Sequence, residues 1–380
     1  MSLSEVKNKL LYIATSDIHL ATFHKPYLKW LVENNVQVDL VVENRGDLEF
    51  EGVSNIFYLD FPRSITNKKL ISSYKSLKKI IDNGNYNIIH CHTPIPSMLT
   101  RLAAKDARAK GAKVLYTAHG FHFYKGAPIS RWLVYYTAEY VLSKFTDAII
   151  TINKEDFNYV NNKMLHKDSF HIKGIGVDSS RFKPLNQEEK KAKRIELGIS
   201  PDKFVLLYVA EFIPRKNHEF VIRTLQPLQK TIPNLEVLFA GKGELLDEMK
   251  LLAKELNVEN SIQFLGFRND VHLLSAIADI GISSSKHEGL GLGLTEEMFC
   301  KVPIIASYDR GHKEMVIQGV NGYMFQQGDS EEFIEYVNNL YQNEELRSKM
   351  GEKAFEKAQE FEIKNSLLAM KNIYNKYIKK

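Results

Sequence analysis

Residues 286–297 read KHEGLGLGLTEE, a glycine-spaced turn with an acid near each end, Glu288 and Glu296. The apolar run at 280–285 predicts a strand before it, and a helix is expected from Glu296 onward. In such a turn, glycines let the backbone approach a ligand closely, and the helix N-terminus presents free N–H groups to an anion. Carboxylates accept hydrogen bonds from hydroxyl groups. An anion held between two hydroxyl-binding acids predicts a nucleotide-sugar site.

The turn alone does not identify a phosphate site, because it matches neither Gly-x-Gly-x-x-Gly nor the Walker lysine pattern. The organisation of the chain supports it. Short apolar runs alternate with amphipathic stretches, which predicts an α/β fold with two doubly wound parallel-sheet domains in tandem. The polar run near 181–201 separates them. The predicted strands are 10–14, 36–42, 55–59, 87–91, 113–117, 148–152 and 170–175, then 204–210, 235–240, 261–265, 280–284, 303–307 and 323–325.

The composition is typical of a globular protein with more than one core. The chain has 380 residues, of which 44% are hydrophobic and 26% are charged. It contains no apolar run long enough to predict a membrane-spanning helix and no signal-peptide core at its N-terminus. Cys91 and Cys300 are interpreted as small buried residues in a reducing compartment. We therefore expect a cytoplasmic protein.

Residues 61–80 contain six cations and no acid. Apolar residues recur among them at helical spacing, which predicts an amphipathic basic helix. Two interpretations stay open: the solvated outer face of a packing helix, or a surface that binds anionic membrane lipid. The cations are Arg63, Lys68, Lys69, Lys75, Lys78 and Lys79, and the apolar residues are Leu70, Tyr74, Leu77 and Ile81.

Several further segments occur in an order that is typical of one family. They are GIGVD at 174–178 with Phe182, VAEFIPRKN at 209–217, FAGKG at 239–243, FLGF at 264–267, and the pairs at 321–322 and 328–329. Together with the acid–seven–acid motif of Glu288 and Glu296, they resemble the retaining glycosyltransferases of family GT4, which have the GT-B fold. The segment YTAHGFHFY at 116–124 further resembles the branch that builds bacterial capsule and exopolysaccharide.

The resemblance implies an arrangement of domains. Residues 1–183 would form a Rossmann-like acceptor-binding domain, and residues 184–355 a Rossmann-like domain that binds the nucleotide-sugar donor. Residues 356–380 would form a C-terminal helix that packs back on the first domain.

The resemblance also implies roles for particular residues. His119 would lie across the cleft against the donor sugar, Glu288 would hold a hydroxyl of that sugar, and Lys216 would neutralise the leaving diphosphate. Glu296 would accept hydrogen bonds from the ribose. The other implied donor-binding residues are Arg215, Gly241, Leu290, Gly291 and Leu292, with Phe267 and Arg268 holding the base.

Two departures from the family pattern matter. Glu211 stands where the family commonly has an arginine, and an added anion near a diphosphate is unfavourable unless it is compensated. Either Arg215 compensates, or Glu211 turns toward the acceptor, and both alternatives stay open. Residues 15–19 replace the Gly-Gly pair of many relatives. The acceptor contacts that the family makes in this loop are therefore not assigned to these residues.

The resemblance implies transfer of a sugar from a nucleotide diphosphate, with UDP as the favoured nucleotide, to a hydroxyl of a lipid-linked or polysaccharide acceptor. The anomeric configuration of the sugar would be retained. No Asp-x-Asp pattern stands beside a strand end, so a helix and a lysine are expected to replace a divalent ion. We expect no cofactor, no metal and no nucleic-acid partner, and possible contact with the inner face of the membrane. A nucleotide-sugar 2-epimerase and a non-catalytic two-lobed sugar-binding protein are the alternatives.

Overall fold

Buried apolar strands alternate with helices along the chain, as the sequence predicts. The computed structural model describes residues 8–62 and 64–378. Its contacts define two units, one formed by Met1–Ile175 with Lys364–Lys380 and the other by Gly176–Ile363. Each contains one parallel sheet covered by helices. The predicted α/β class with two doubly wound sheets is confirmed.

The sheet of the first unit has the order β3-β2-β1-β4-β5-β6-β7, counted over the described residues, and its strands pair in parallel. The chain order reverses between β1 and β4, which makes their carboxyl ends the place where such a fold binds ligands. The central strands are almost wholly buried, as expected when helices cover both faces. The strands are β1 (Asn8–Ser16), β2 (Val36–Glu43), β3 (Asn55–Tyr58), β4 (Ile88–His92), β5 (Lys113–Ala118), β6 (Ala148–Thr151) and β7 (Asp168–His171).

Amphipathic helices connect these strands and bury their apolar faces on the sheet. They are α1 (Asp17–Phe23), α2 (Lys25–Glu33), α3 (Lys69–Gly84), α4 (Pro94–Ala103), α5 (Lys105–Ala109), α6 (Ile129–Arg131), α7 (Thr137–Ser143) and α8 (Lys154–Lys163). A π-helical turn, Trp132–Tyr136, joins α6 to α7, so residues 129–143 form one helical segment.

The second unit repeats this plan, with the sheet order β10-β9-β8-β11-β12-β13 and reversal between β8 and β11. Its strands are β8 (Phe204–Val209), β9 (Leu235–Ala240), β10 (Ile262–Gly266), β11 (Ile280–Ser283), β12 (Ile304–Ser307) and β13 (Gly322–Phe325). Its helices are α9 (Gln187–Glu196), α10 (His218–Thr231), α11 (Leu246–Glu255), α12 (Val271–Ile277), α13 (Leu292–Phe299), α14 (His312–Met315), α15 (Ser330–Gln342) and α16 (Glu344–Ala358). Short 3₁₀ turns lie at Ser179–Arg181, Glu259–Ser261 and Gln359–Phe361.

The boundary between the units falls after Ile175, earlier than the predicted boundary after residue 183. Val177 causes the difference, because its N–H donates to the carbonyl of Phe361 and its carbonyl accepts from the N–H of Ile363, both at 2.9 Å. These bonds fix the segment that follows Ile175 to the second unit. The polar run on which the sequence prediction relied lies farther along the chain.

The last helix, α17 (Ile363–Tyr377), belongs to the first unit. The Tyr374 hydroxyl lies 2.6 Å from Nδ1 of His90 on β4, and Lys376 pairs with Asp168 at 2.7 Å. The segment that joins the first unit begins at Lys364 and not at residue 356. The reason is that Phe361 is buried and bonded to Val177 in the second unit.

Helix α3 is the predicted basic helix. Leu77 and Ile81 are buried, whereas Lys75 and Lys79 are exposed. Lys78 is not free, because it pairs with Asp82 at 3.0 Å and with Asp106 at 2.6 Å. Arg63 lies outside the described residues. None of the helices within 8–62 and 64–378 has the length and apolar character needed to cross a bilayer.

Candidate functional site

The candidate site lies at the carboxyl ends of β8 and β11, where the strand order of the second sheet reverses. The segment after β8 carries Arg215 and Lys216, and the segment after β11 carries Glu288. The Arg215 carbonyl accepts a hydrogen bond from the N–H of Lys286 at 2.8 Å, which links the two segments. Glu288 therefore contacts Lys216 and Arg215, which precede it by 72 and 73 positions in the sequence.

Glu288 is held between two cations. Its Oε1 lies 2.5 Å from Nζ of Lys216, and its Oε2 lies 2.8 Å from Nη1 of Arg215. Burial by itself would raise the pKa of Glu288, but the charges of Lys216 and Arg215 outweigh it and lower the pKa to about 2. Glu288 is therefore a fixed carboxylate at neutral pH, paired with two basic side chains.

The loop after β12 holds the backbone of Glu288 in place. The Asp309 carboxylate accepts hydrogen bonds from the N–H groups of Glu288 and Gly311, both at 2.9 Å. Gly311 must be glycine, since a Cβ there would lie 2.9 Å from the carbonyl oxygen of Leu290. Sequence reasoning missed Asp309. The acid at the end of β12 was the available signal.

Helix α13 begins at Leu292, one turn before the expected start at Glu296. Gly291 precedes it with φ of 100°, a conformation that favours glycine. Among the described residues, no side chain caps the first turn, and although the N–H of Leu294 donates to the carbonyl of Gly291, those of Leu292 and Gly293 are available to an anion. Leu290, Gly291 and Leu292 therefore lie at this helix start, whereas Glu296 lies inside the helix. Burial raises the pKa of Glu296 to about 7, and the charge of Arg181 opposes that shift.

A pocket of about 660 Å³ opens in the second unit and is lined by Lys216 and by three of the predicted donor-binding residues, Gly241, Phe267 and Arg268. Gly241 is required, because a Cβ would lie 1.9 Å from the carbonyl oxygen of Ala210. The Phe267 side chain is 65% exposed, which leaves its ring available for stacking. Arg268 is paired with Asp270 at 2.5 Å.

Glu211, the residue that departs from the family pattern, is exposed and lines the same pocket as Lys216. Arg215 forms its ion pair with Glu288.

His119 belongs to the first unit and follows β5. It joins a group that sequence reasoning missed, in which His19, His24 and His119 bring one ring nitrogen each within 4.8 Å of the others. His92, the last residue of β4, packs on them, with Nδ1 3.3 Å from Nε2 of His119. Burial lowers the pKa of His19 to about 4 and, with the charge of His19, that of His119 to about 3. These rings are therefore neutral at pH 7.

Two family models match the chain, one over each unit. The model described as glycosyl transferase 4-like matches residues 9–153, and the model described as glycosyl transferases group 1 matches residues 189–357.

Individual relatives agree with these models. The chain is 39% identical over 373 residues to the Bacillus subtilis protein named "Putative glycosyltransferase EpsD", and the match spans 97% of each chain. It is 30% identical, over 70% of its own length and 68% of the relative, to the Escherichia coli UDP-Gal:alpha-D-GlcNAc-diphosphoundecaprenol alpha-1,3-galactosyltransferase.

Solved structures share the fold. The structure of Anabaena Alr3699/HepE in complex with UDP and glucose is similar at TM-score 0.77 and 19% identity, over 97% of this chain and all of the other. The structure of a Rickettsia africae glycosyltransferase is similar at TM-score 0.78 and 19% identity, over 98% of this chain and 99% of the other. The predicted GT-B fold is confirmed by these likenesses.

Proposed function

The chain belongs to the group 1 (GT4) glycosyltransferases, and from that premise we propose that it transfers a sugar from a UDP-sugar to a hydroxyl of a lipid-linked or polysaccharide acceptor, with retention. The acceptor would be an intermediate of cell-surface polysaccharide. The observation that carries the proposal is the contact of Glu288 with Lys216 and Arg215 in the unit whose helix α13 starts without a side-chain cap.

Negative charge builds on the diphosphate as the bond to the sugar breaks, so fixed positive groups beside it stabilise the transition state. Lys216 and Arg215 supply such charges, and the uncapped N–H groups of α13 supply fixed dipoles. The Glu288 carboxylate holds both cations in position before a donor arrives. Because it is ionised, it would also accept a hydrogen bond from a hydroxyl of the donor sugar.

Glu296 would bind the ribose of the donor. An ionised carboxylate accepts hydrogen bonds at both oxygens, whereas the protonated acid donates from one of them, and the pKa of about 7 makes the ionised state of Glu296 dependent on pH. The pocket lined by Gly241, Phe267 and Arg268 would hold the base, with the exposed Phe267 ring as a stacking surface.

Transfer would need no divalent ion at the diphosphate. Two cations and a helix start already serve the diphosphate site, and these groups would take the place of Mg²⁺ or Mn²⁺. The proposed independence from divalent ions concerns only the diphosphate site in the second unit.

The names of similar proteins support the choice of donor and acceptor. The name of the Escherichia coli relative includes UDP-Gal as donor and a diphosphoundecaprenol-linked GlcNAc as acceptor, and the Anabaena structure holds UDP and glucose. A thermal-shift panel of UDP-, GDP- and TDP-sugars tests the donor. Stabilisation by UDP-sugars alone supports the proposal, and a preference for GDP- or TDP-sugars contradicts it.

We also propose that the first unit docks on an anionic membrane at the inner face of the cell. Exposed apolar side chains recur along the helical segment 129–143, with Ile129 77% and Leu133 69% exposed. Val134 and Val141 continue this stripe, and the exposed Lys144 follows it. Apolar side chains flanked by cations are typical of helices that lie in a membrane surface. The exposed lysines of α3 would add attraction to anionic lipid.

A further inference from the structure

Histidines from three separate segments meet at the carboxyl ends of β1, β4 and β5. His19 lies on α1 directly after β1, His92 ends β4, and His119 follows β5. His24 begins the turn into α2. These three strands are neighbours at the place where the sheet order reverses. The cluster therefore occupies the position at which a doubly wound sheet offers a ligand site.

We propose that His19, His24 and His119 bind one Zn²⁺ ion, with water or a hydroxyl group as the fourth ligand. Their candidate nitrogens all lie within 4.8 Å of one another. Nε2 of His24 lies 3.3 Å from Nε2 of His19. Two nitrogens bound to tetrahedral zinc at about 2.0–2.1 Å stand about 3.3–3.4 Å apart. The observed spacing is thus that of two ligands on one ion, and it is long for a hydrogen bond.

The chemistry of the cluster selects the metal. Its donors are imidazole nitrogens, and zinc prefers such nitrogen ligands, whereas calcium and magnesium prefer carboxylate and carbonyl oxygens. Each of the three imidazoles offers one ring nitrogen to an ion. Three histidines with a fourth open position is the ligand set of zinc sites that bind water or a substrate oxygen.

Groups around the cluster would hold the ligands in place. The Tyr12 hydroxyl lies 2.8 Å from Nδ1 of His24, which fixes that ring and leaves Nε2 for the ion. His92 stacks on Tyr12 and packs 4.5 Å from the His24 ring, centroid to centroid. Nε2 of His92 is buried and has no hydrogen-bond partner among the described residues, which makes His92 a further polar group that the protein alone leaves unsatisfied.

The test uses full-length protein without a polyhistidine tag, stripped with a chelator and titrated with Zn²⁺ against a chromogenic indicator. We expect one equivalent of Zn²⁺ per chain and a rise in melting temperature on binding. Titration with Co²⁺ should give the strong visible absorption of tetrahedral cobalt. The His19→Gln and His119→Gln variants should each weaken Zn²⁺ binding by at least about a hundredfold, since each removes a ligand.

The matched control is His166→Gln, a half-buried histidine of the same unit that lies outside the cluster, and it should bind Zn²⁺ like the wild type. Equal affinity in the wild type and in either ligand variant would overturn the proposal. If both ligand variants fail to fold, the wild-type Co²⁺ spectrum decides, because a weak octahedral spectrum or no saturable binding overturns it. These measurements need no donor or acceptor, so their failure would leave the proposed transferase function untouched.

Discussion

Replacing Lys216 by alanine tests the proposed stabilisation of the leaving diphosphate. The Lys216 ammonium lies 2.5 Å from one Glu288 oxygen, while Arg215 holds the other oxygen at 2.8 Å. Removing Lys216 therefore leaves Glu288 paired, and the fold should persist. A unit charge about 4 Å from a diphosphate oxygen contributes roughly 4 kcal/mol at an effective dielectric constant of about 20. Loss of one fixed donor to a developing oxyanion costs about 2.7–4 kcal/mol.

These magnitudes predict a fall in kcat of about a hundredfold to a thousandfold, with a smaller change in KM. The assay is the initial rate of UDP release from the donor that the thermal-shift panel selects. The matched control is Lys353→Ala, which also loses a lysine–glutamate ion pair, at 2.7 Å to Glu356 on α16, and it should keep the wild-type kcat. A change confined to KM in Lys216→Ala would refute the reasoning, because it would mean that Lys216 assists binding only.

Other predictions follow from the same sites. Glu296→Ala should weaken binding of UDP itself, whereas Glu288→Ala should leave UDP binding nearly intact and reduce transfer; calorimetry that finds equal losses of UDP affinity contradicts the assignment. Affinity for the UDP-sugar should rise by up to about tenfold between pH 6 and pH 8, as Glu296 with its pKa near 7 loses its proton and becomes the better acceptor, and Glu296→Gln should abolish this rise. Transfer should persist in EDTA, and loss that Mn²⁺ restores but Zn²⁺ does not would speak against a metal-free diphosphate site. Vesicle binding should require anionic lipid, weaken with salt and fall in Leu133→Ser and in Lys75→Gln with Lys79→Gln; binding to neutral vesicles that ignores salt would contradict membrane docking.

Local patterns predicted much of the fold. Each of the thirteen predicted strands overlaps an observed strand, because buried parallel strands are short apolar runs between helices. The least accurate is 170–175, observed as Asp168–His171. The predicted start of α13 was one turn too late. Gly291, with its positive φ, allows the helix to begin directly after it.

Long-range contacts explain what the sequence did not reveal. The unit boundary depends on hydrogen bonds from Val177 to Phe361 and Ile363, residues far apart in the chain. His19 and His119 meet only because β1, β4 and β5 are neighbours in the sheet. Glu288 itself was predictable because it belongs to a recognisable sequence motif. Its ion pairs with Arg215 and Lys216 were not, because these residues meet only in the folded unit.

Incubation of the protein with a UDP-sugar and an undecaprenyl-diphosphate-linked sugar, followed by mass spectrometry, tests the central claim most directly. The account predicts that the acceptor gains the mass of one sugar residue and that UDP is released in equal amount. Nuclear magnetic resonance of the product should reveal the anomeric configuration of the donor. A new nucleotide sugar formed without acceptor, as a 2-epimerase would produce, or binding of the UDP-sugar without turnover for every acceptor, would contradict it.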